Sequence, residues 1–138
     1  MALSTAETEQ LLSAAHIGVL GSVDRTGRPH QVPIWYLWRD GAVLMLTDRS
    51  SRKWRNLLAN PSASFCVDTK VPPYQAVILE GEVSEAPDQD YRGLLREMAV
   101  HYLGEREGNR YADGSTSGDP DSSVVFRLTP SGTVSWGY

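Results

Sequence analysis

Residues 30–47 read His30-Gln31-Val32-Pro33-Ile34-Trp35-Tyr36-Leu37-Trp38-Arg39-Asp40-Gly41-Ala42-Val43-Leu44-Met45-Leu46-Thr47. His30 to Trp38 is rich in β-branched and aromatic residues, the composition of a strand. Asp40-Gly41 is a two-residue hairpin signal, because both central positions of such a turn want positive φ. Ala42 to Thr47 then returns as the antiparallel partner. The hairpin makes the sheet antiparallel from its start. Pro33 lacks an amide hydrogen, so it belongs on an edge or at a bulge. A strand interrupted there leaves neighbouring amides and carbonyls without sheet partners, and a flat heteroaromatic ring with a polar edge could use those around Val32, Pro33, Ile34 and Trp35. Taken singly, Trp35, Tyr36 and Trp38 read better as filling of a barrel or a subunit contact.

Working outward toward the N-terminus, Ile17 to Val23 reads as a strand and Asp24-Arg25-Thr26-Gly27 as the turn after it. Ser4 and Glu7 fit a capping box, which predicts a helix within residues 1–15 with Leu11, Leu12 and Ala15 on its apolar face. Toward the C-terminus, Ser50-Ser51 opens a helix to about Ala59, stopped by Asn60-Pro61 because the residue before proline avoids helical backbone. Ser62 to Val67 is a strand, Pro72-Pro73 a break, and Gln75 to Ser84 a long strand. Leu94, Leu95, Met98 and Tyr102 recur at helical spacing within Asp88 to Leu103, and Gly104 caps that helix. Residues 105–121 are dominated by Gly, Ser, Asp and Asn and read as a long flexible loop. Ser123 to Leu128 is a strand, Pro130 to Gly132 a turn, and Thr133 to Trp136 a last strand. Six or seven strands and three short helices, with hairpin connections prevailing, predict a mainly β protein. The expectation is one domain over 1–138, an antiparallel sheet closed into a small barrel.

The 138 residues carry 13 basic and 17 acidic side chains, a net charge of −4. That excludes the cationic excess a nucleic-acid coat requires, so no nucleic-acid partner is expected. Hydrophobic residues at 41% and charged ones at 22% are ordinary for a soluble globular protein. The longest apolar runs fall far short of a membrane span, and the polar, acidic start is no signal peptide. A cytoplasmic protein without a membrane partner is expected. With one cysteine, Cys66, neither an intrachain disulfide nor a cysteine zinc cluster can form. Cys66, between Phe65 and Val67, reads as a buried, inert thiol. His16, His30 and His101 lack metal-ligand spacing, and no metal site is expected.

One cluster is out of character with this acidic chain. Arg49, Arg52, Lys53 and Arg55 fall within seven positions at the start of a predicted helix, where the macrodipole makes cations unfavourable. First-turn backbone amides add donors. Together with Ser51 these groups form a site suited to an anion, and a phosphate there would accept several charge-assisted hydrogen bonds. A solvated basic helix end with arginines paired to scattered carboxylates is the plainer alternative. The order strand, turn, Ser, Arg, Lys favours the anion site. No catalytic residue can be named, because acid–base and nucleophilic constellations are poor. An anion cradle with few such groups is what a protein needs when a cofactor performs the hard chemistry.

An ordered series of motifs carries a resemblance. Gly18-Val19-Leu20 with Gly27-Arg28-Pro29, Pro33-Ile34-Trp35, Thr47-x-x-x-Ser51-Arg52-Lys53-x-x-Asn56-Leu57 and Asn60-Pro61 resemble the pyridoxamine 5'-phosphate oxidase-like family of FMN-binding split barrels, of Greek-key type. Glu80-Gly81-Glu82-Val83, Tyr102-Leu103-Gly104 and Leu128-Thr129-Pro130 with Trp136 look like its branch that uses the deazaflavin F420. The resemblance covers nearly the whole chain from His16. It implies a homodimer with two cofactors at the subunit interface, and a phosphate held by Ser51, Arg52 and Lys53 with Thr47 and Asn56 nearby, at the anion site that the basic cluster with Arg49 already suggests. It also implies that the backbone of Val32 to Trp35 faces the ring, that Gln75 reaches the cofactor across the dimer, and that Trp136 borders the ring. FMN-binding oxidases of the family often carry an Arg and a Lys within the strand before the hairpin. His30 to Trp38 has neither, which favours F420 over FMN. The implied activity is hydride transfer between F420 and a small conjugated substrate. An FMN-dependent oxidoreductase and a non-catalytic cofactor- or haem-binding barrel are the alternatives.

Overall fold

The structure, a computed structural model, describes residues 1–114 and 119–138. Helix α1 (Thr5–Ser13) opens with the capping box: Glu7 N donates to Ser4 Oγ at 3.1 Å and Ser4 N to Glu7 Oε1 at 2.9 Å. It buries Leu11 and Leu12. Ala15, expected on the same face, lies past the helix end and is exposed. The strands are β1 (Gly18–Val23), β2 (Pro29–Ile34), β3 (Leu37–Arg39), β4 (Ala42–Asp48), β5 (Ser62–Asp68), β6 (Gln75–Glu85) and β7 (Ser123–Gly137). Helix α2 (Arg52–Ala59) joins β4 to β5, and the pair α3 (Tyr91–Leu103) and α4 (Glu105–Asp113) joins β6 to β7.

The sheet runs β2-β1-β5-β6-β7-β4-β3, with every pairing antiparallel. Its two edges, β2 and β3, are consecutive in the chain and separated only by Trp35 and Tyr36. Laid flat, six interstrand spacings would put those edges about 29 Å apart, whereas the chain from Ile34 to Leu37 spans at most about 11 Å. The sheet therefore curls until its edges nearly meet. This is the split barrel, mainly β, with four helices among the described residues rather than three.

Its interior is packed by Leu20, Tyr36, Met45, Phe65, Val77 and Phe126, among others, and Trp54 and Leu57 of α2 join the same core. A second cluster lies outside the barrel, where Leu94 and Met98 of α3 cover Leu37, Leu44 and Val125. No helix among the described residues is long and apolar enough to cross a membrane.

The hairpin forms as the sequence predicts, with Asp40 at φ 53° and Gly41 at φ 72°. The strand expected over His30–Trp38 is instead two. Closing the barrel requires the chain to leave one edge after Ile34 and join the other at Leu37. The turn expected at Pro130–Gly132 is also absent, and β7 runs unbroken through it. Gly81 pairs with Pro130 and Glu80 with Gly132, so one residue bulges out and the strand continues. A Cβ on Gly81 would stand 2.1 Å from the Thr129 carbonyl oxygen, so only glycine admits this approach.

The loop expected over residues 105–121 gives way to helix through residue 113, while residues 115–118 lie outside the described residues. Tertiary packing overrides the polar, glycine-containing composition. Gly108 sits against α3 so closely that a Cβ would meet the Val100 Cα at 2.4 Å. Arg96 donates to Asn109 Oδ1 at 2.8 Å and pairs with Asp113 at 2.5 Å, tying the two helices together.

The outward face of the sheet carries an apolar row. By register, Pro33, Val19, Cys66, Ile78 and Val134 stand side by side across five strands, and none is buried. Cys66, expected to be buried, is thus half-exposed on this face. Partial desolvation still pushes its thiol pKa up, with Asp68 adding to the rise.

Candidate functional site

The short strand β3 covers only Ala42 to Leu44 of its neighbour. From Met45 to Asp48, β4 has β7 on one side and, among the described residues, no strand on the other. Strand β2 pairs only with β1. Two strand edges without a neighbouring strand therefore flank one cleft of ≈ 370 Å³, with the Asp48 carbonyl already accepting from Ser51 N at 3.0 Å. Pro33, Ile34 and Trp35 line it from β2 and the crossing, and Leu46, Thr47 and Asp48 from β4, with Ser123 beside them. Tyr91, Leu95 and Met98 of α3 and Tyr111 of α4 close the far side.

The polar wall is local in sequence. Ser51 is the N-cap of α2, its Oγ accepting from Trp54 N at 3.2 Å. Thr47 Oγ1 donates to Ser51 Oγ at 2.9 Å, and Lys53 Nζ donates to Thr47 Oγ1 at 3.1 Å. Lys53 thus bends back along the turn toward the cleft. It is half-buried, and desolvation lowers its pKa. No acidic residue occupies the first turn of α2, and among the described residues no carboxylate pairs with Lys53. A partly desolvated cation beside a helix N-terminus, with a hydroxyl as its partner, is an unfinished electrostatic arrangement that an anion completes.

The other members of the basic cluster are placed differently. Arg49 forms an exposed ion pair with Glu85 at 2.7 Å, as the plainer reading of the cluster supposed for its arginines. Arg52 and Arg55 are exposed. Arg55 borders a wider hollow of ≈ 550 Å³ with Arg25 and Asp24. That hollow is larger than the cleft, but among the described residues no strand edge borders it; Asp24 brings a carboxylate into it, as Asp48 does into the cleft. Three hydrogen bonds from Thr26 and Arg28 already hold the Asp24 carboxylate.

The remaining expected site residues are scattered. Val32 packs against the barrel core. Asn56 is buried and donates to Ser22 Oγ at 3.3 Å, away from the cleft lining. Gln75 and Trp136 lie on β6 and β7, where Gln75 faces Gly137 and Trp136 faces Ala76; neither lines the cleft. Within one chain, the cleft lining brings together Pro33, Ile34, Trp35 and Thr47, while Ser51 and Lys53 lie outside the lining and join it through their hydrogen bonds with Thr47.

Of the aromatic wall the sequence named only Trp35, and that for its backbone. Trp35 stacks on Tyr102 of α3, with centroids 4.9 Å apart and planes at 10°, and tilts against Tyr111 at 5.5 Å. Leu95 and Met98 were visible as a helical apolar face, but one helix face cannot say which cavity it borders. Tyr111 lay inside a stretch whose composition reads as loop. Its one signal was its place as the only aromatic residue between Leu103 and Phe126.

Comparison with known proteins identifies this architecture. The pyridoxamine 5'-phosphate oxidase family matches residues 4–137, so the chain belongs to that family. Among solved structures it is similar to a FAD-binding protein from Mesorhizobium loti, at 24% identity, TM-score 0.73, covering 100% of this chain and 97% of that one. An F420 reductase is 22% identical, with TM-score 0.75 and coverage of 91% and 94%. A haem storage protein from Vibrio cholerae is 18% identical, with TM-score 0.67 and coverage of 96% and 94%. At these identities the likeness shows the fold. No curated protein sequence matches the chain.

Proposed function

We propose that the protein is an oxidoreductase that binds a flavin-type cofactor, the deazaflavin F420, in the cleft between β2 and β4. The observation that carries this reading is the pairing of two free strand edges with the unneutralised Lys53–Thr47–Ser51 wall. The edges offer amides and carbonyls to the polar rim of a flat ring, and the wall offers a cation and hydroxyls to an acidic tail. When bound, the cofactor supplies a hydride to, or takes one from, a small conjugated substrate. Lys53 and the first-turn amides of α2 hold the anion. Pro33, Ile34 and Trp35 orient the ring, and Leu95, Met98 and Tyr111 keep water from its far face. Among the described residues Asp48 is the one carboxylate of the cleft lining, and Ser50 already holds it through two hydrogen bonds, which suits chemistry carried by a cofactor.

FMN is the alternative ligand of the same site. F420 is favoured because β2 presents no Arg or Lys toward a short phosphate tail. The apolar row from Pro33 to Val134 supports a second copy of the chain as partner, which would bring its own Gln75 and Trp136 toward the cofactor.

Fluorescence titration of purified protein with F420 and with FMN tests binding. The expected result is F420 affinity below the micromolar range, about −8 kcal/mol. Steady-state turnover with reduced F420 and a panel of quinones, enones and tetrapyrroles then separates an enzyme from a carrier. Binding of neither cofactor would end the reading, and tight binding without turnover would convert it to a carrier.

A further inference from the structure

The two free edges of the cleft are held in place by the dipeptide that joins β2 to β3, and that dipeptide is itself clamped by one side chain. Tyr102 Oη accepts the Tyr36 amide at 3.1 Å and lies 2.7 Å from the His16 carbonyl oxygen, to which it donates. A second carbonyl, that of Tyr36, lies at 3.2 Å. The Tyr102 ring stacks on Trp35. One residue of α3 thus grips both members of the crossing and ties them to the segment that enters β1. The two side chains of the crossing point opposite ways. Tyr36 is buried in the barrel, its hydroxyl donating to the Leu12 carbonyl at 2.8 Å. Trp35 faces the cleft and the helices.

We propose that Tyr102 is a positioning residue for the cofactor cleft, setting the place of the Pro33–Trp35 backbone through its hydroxyl and its stacked ring. It lines no part of the cleft, so it acts on a ligand only through the crossing. The proposal rests on the cofactor reading for its functional side, while its structural side stands on the free protein. Removing the hydroxyl leaves the Tyr36 amide without its partner, a loss the rest of the crossing cannot replace.

Tyr102→Phe keeps the stack and removes the hydroxyl; Tyr102→Leu removes both. Amide hydrogen exchange in the free protein reads the crossing directly, and titration with F420 and FMN reads the cleft. In Tyr102→Phe the Tyr36 amide should exchange at least tenfold faster. Cofactor affinity should fall about fivefold, with the bound absorption spectrum displaced toward that of the free cofactor. Tyr102→Leu should weaken binding further. Wild-type exchange at Tyr36 in Tyr102→Phe would overturn the proposal. So would a lowered melting temperature with affinity and bound spectrum unchanged, the signature of a merely structural side chain. If the wild-type protein binds neither cofactor, the functional reading fails by itself, and the exchange rate alone decides whether Tyr102 sets the crossing.

Discussion

The two walls of the cleft are built by opposite strategies. The polar wall comes from Thr47, Ser51 and Lys53, within seven consecutive residues, linked by a cap and two side-chain hydrogen bonds. The aromatic wall comes from Trp35 of the crossing and Tyr111 of α4, with Tyr102 of α3 stacked behind Trp35. The first is local and electrostatic, and its partners are set once the β4–α2 turn forms. The second exists only if the barrel curls and the α3–α4 pair packs across it. The contrast implies that each wall can be damaged without the other, with different consequences for stability and for binding.

The largest effect is expected from the packing of the aromatic wall. At Gly108→Ala the new Cβ would stand 2.4 Å from the Val100 Cα and 2.5 Å from its nitrogen, backbone atoms that no rotamer change can move. Helix α4 must then lift from α3 and carry Tyr111 away from Trp35. A loss of about 3 kcal/mol is expected, the upper end for overpacking, read by urea unfolding followed through tryptophan fluorescence. An unchanged unfolding midpoint would show that α4 is not seated as described. The polar wall should persist in this variant.

The complementary change empties the polar wall of charge. Lys53→Met should cost cofactor binding about 2 kcal/mol, roughly thirtyfold in Kd, the worth of a charge-assisted hydrogen bond. The free protein should be as stable or more so, because a desolvated cation at a helix start is removed. The pH dependence carries a definite sign. Lys53 has a folded pKa below its ordinary 10.5 because burial penalises the ammonium. Between the two values the unfolded chain binds more protons, so wild-type stability rises as pH climbs through that window. Lys53→Met should lack that rise. A variant less stable than wild type at neutral pH would mark Lys53 as a structural residue and weaken the case for an anion.

The same contrast explains what the sequence revealed. The Asp40-Gly41 hairpin, the Ser4–Glu7 capping box and the Ser51 cap are short-range devices, and each was readable because its partners lie within a few residues. The basic run was readable as a misplaced charge for the same reason. Pro33 marked an edge or an interruption locally, but the crossing to a second edge at Leu37 was not readable, since that demand comes from the far side of the sheet. Helix α4 was hidden because Gly108, a helix-weakening residue in isolation, is there to let two helices touch. The Pro130–Gly132 signal failed likewise: turn-type residues became a bulge opposite Gly81, where a neighbouring strand was already in place. The burial of Asn56 against Ser22 depends on how α2 seats on β1, which no motif spacing records.

The smallest effect distinguishes the cations of the basic run from one another. Arg49 and Lys53 are four residues apart in one basic run, yet Arg49 is exposed and already neutralised by Glu85, which raises its own pKa and lowers that of the carboxylate. An exposed pair of this kind contributes between 0 and about 1 kcal/mol, because solvent screens the attraction and both side chains lose freedom in forming it. Arg49→Ala should therefore shift the unfolding midpoint slightly, and the shift should shrink further in high salt as the Debye length shortens. Its effect on cofactor affinity should be well below that of Lys53→Met, since an anion would have to compete with Glu85 for the guanidinium. Measuring both variants by the same titration makes the comparison direct. Equal losses would mean that Arg49 leaves Glu85 when a ligand arrives, and the anion site would then extend around the whole turn from residue 49 to residue 53. A loss confined to Lys53 places the charge recognition on the one cation among the described residues that is partly buried and without a carboxylate partner.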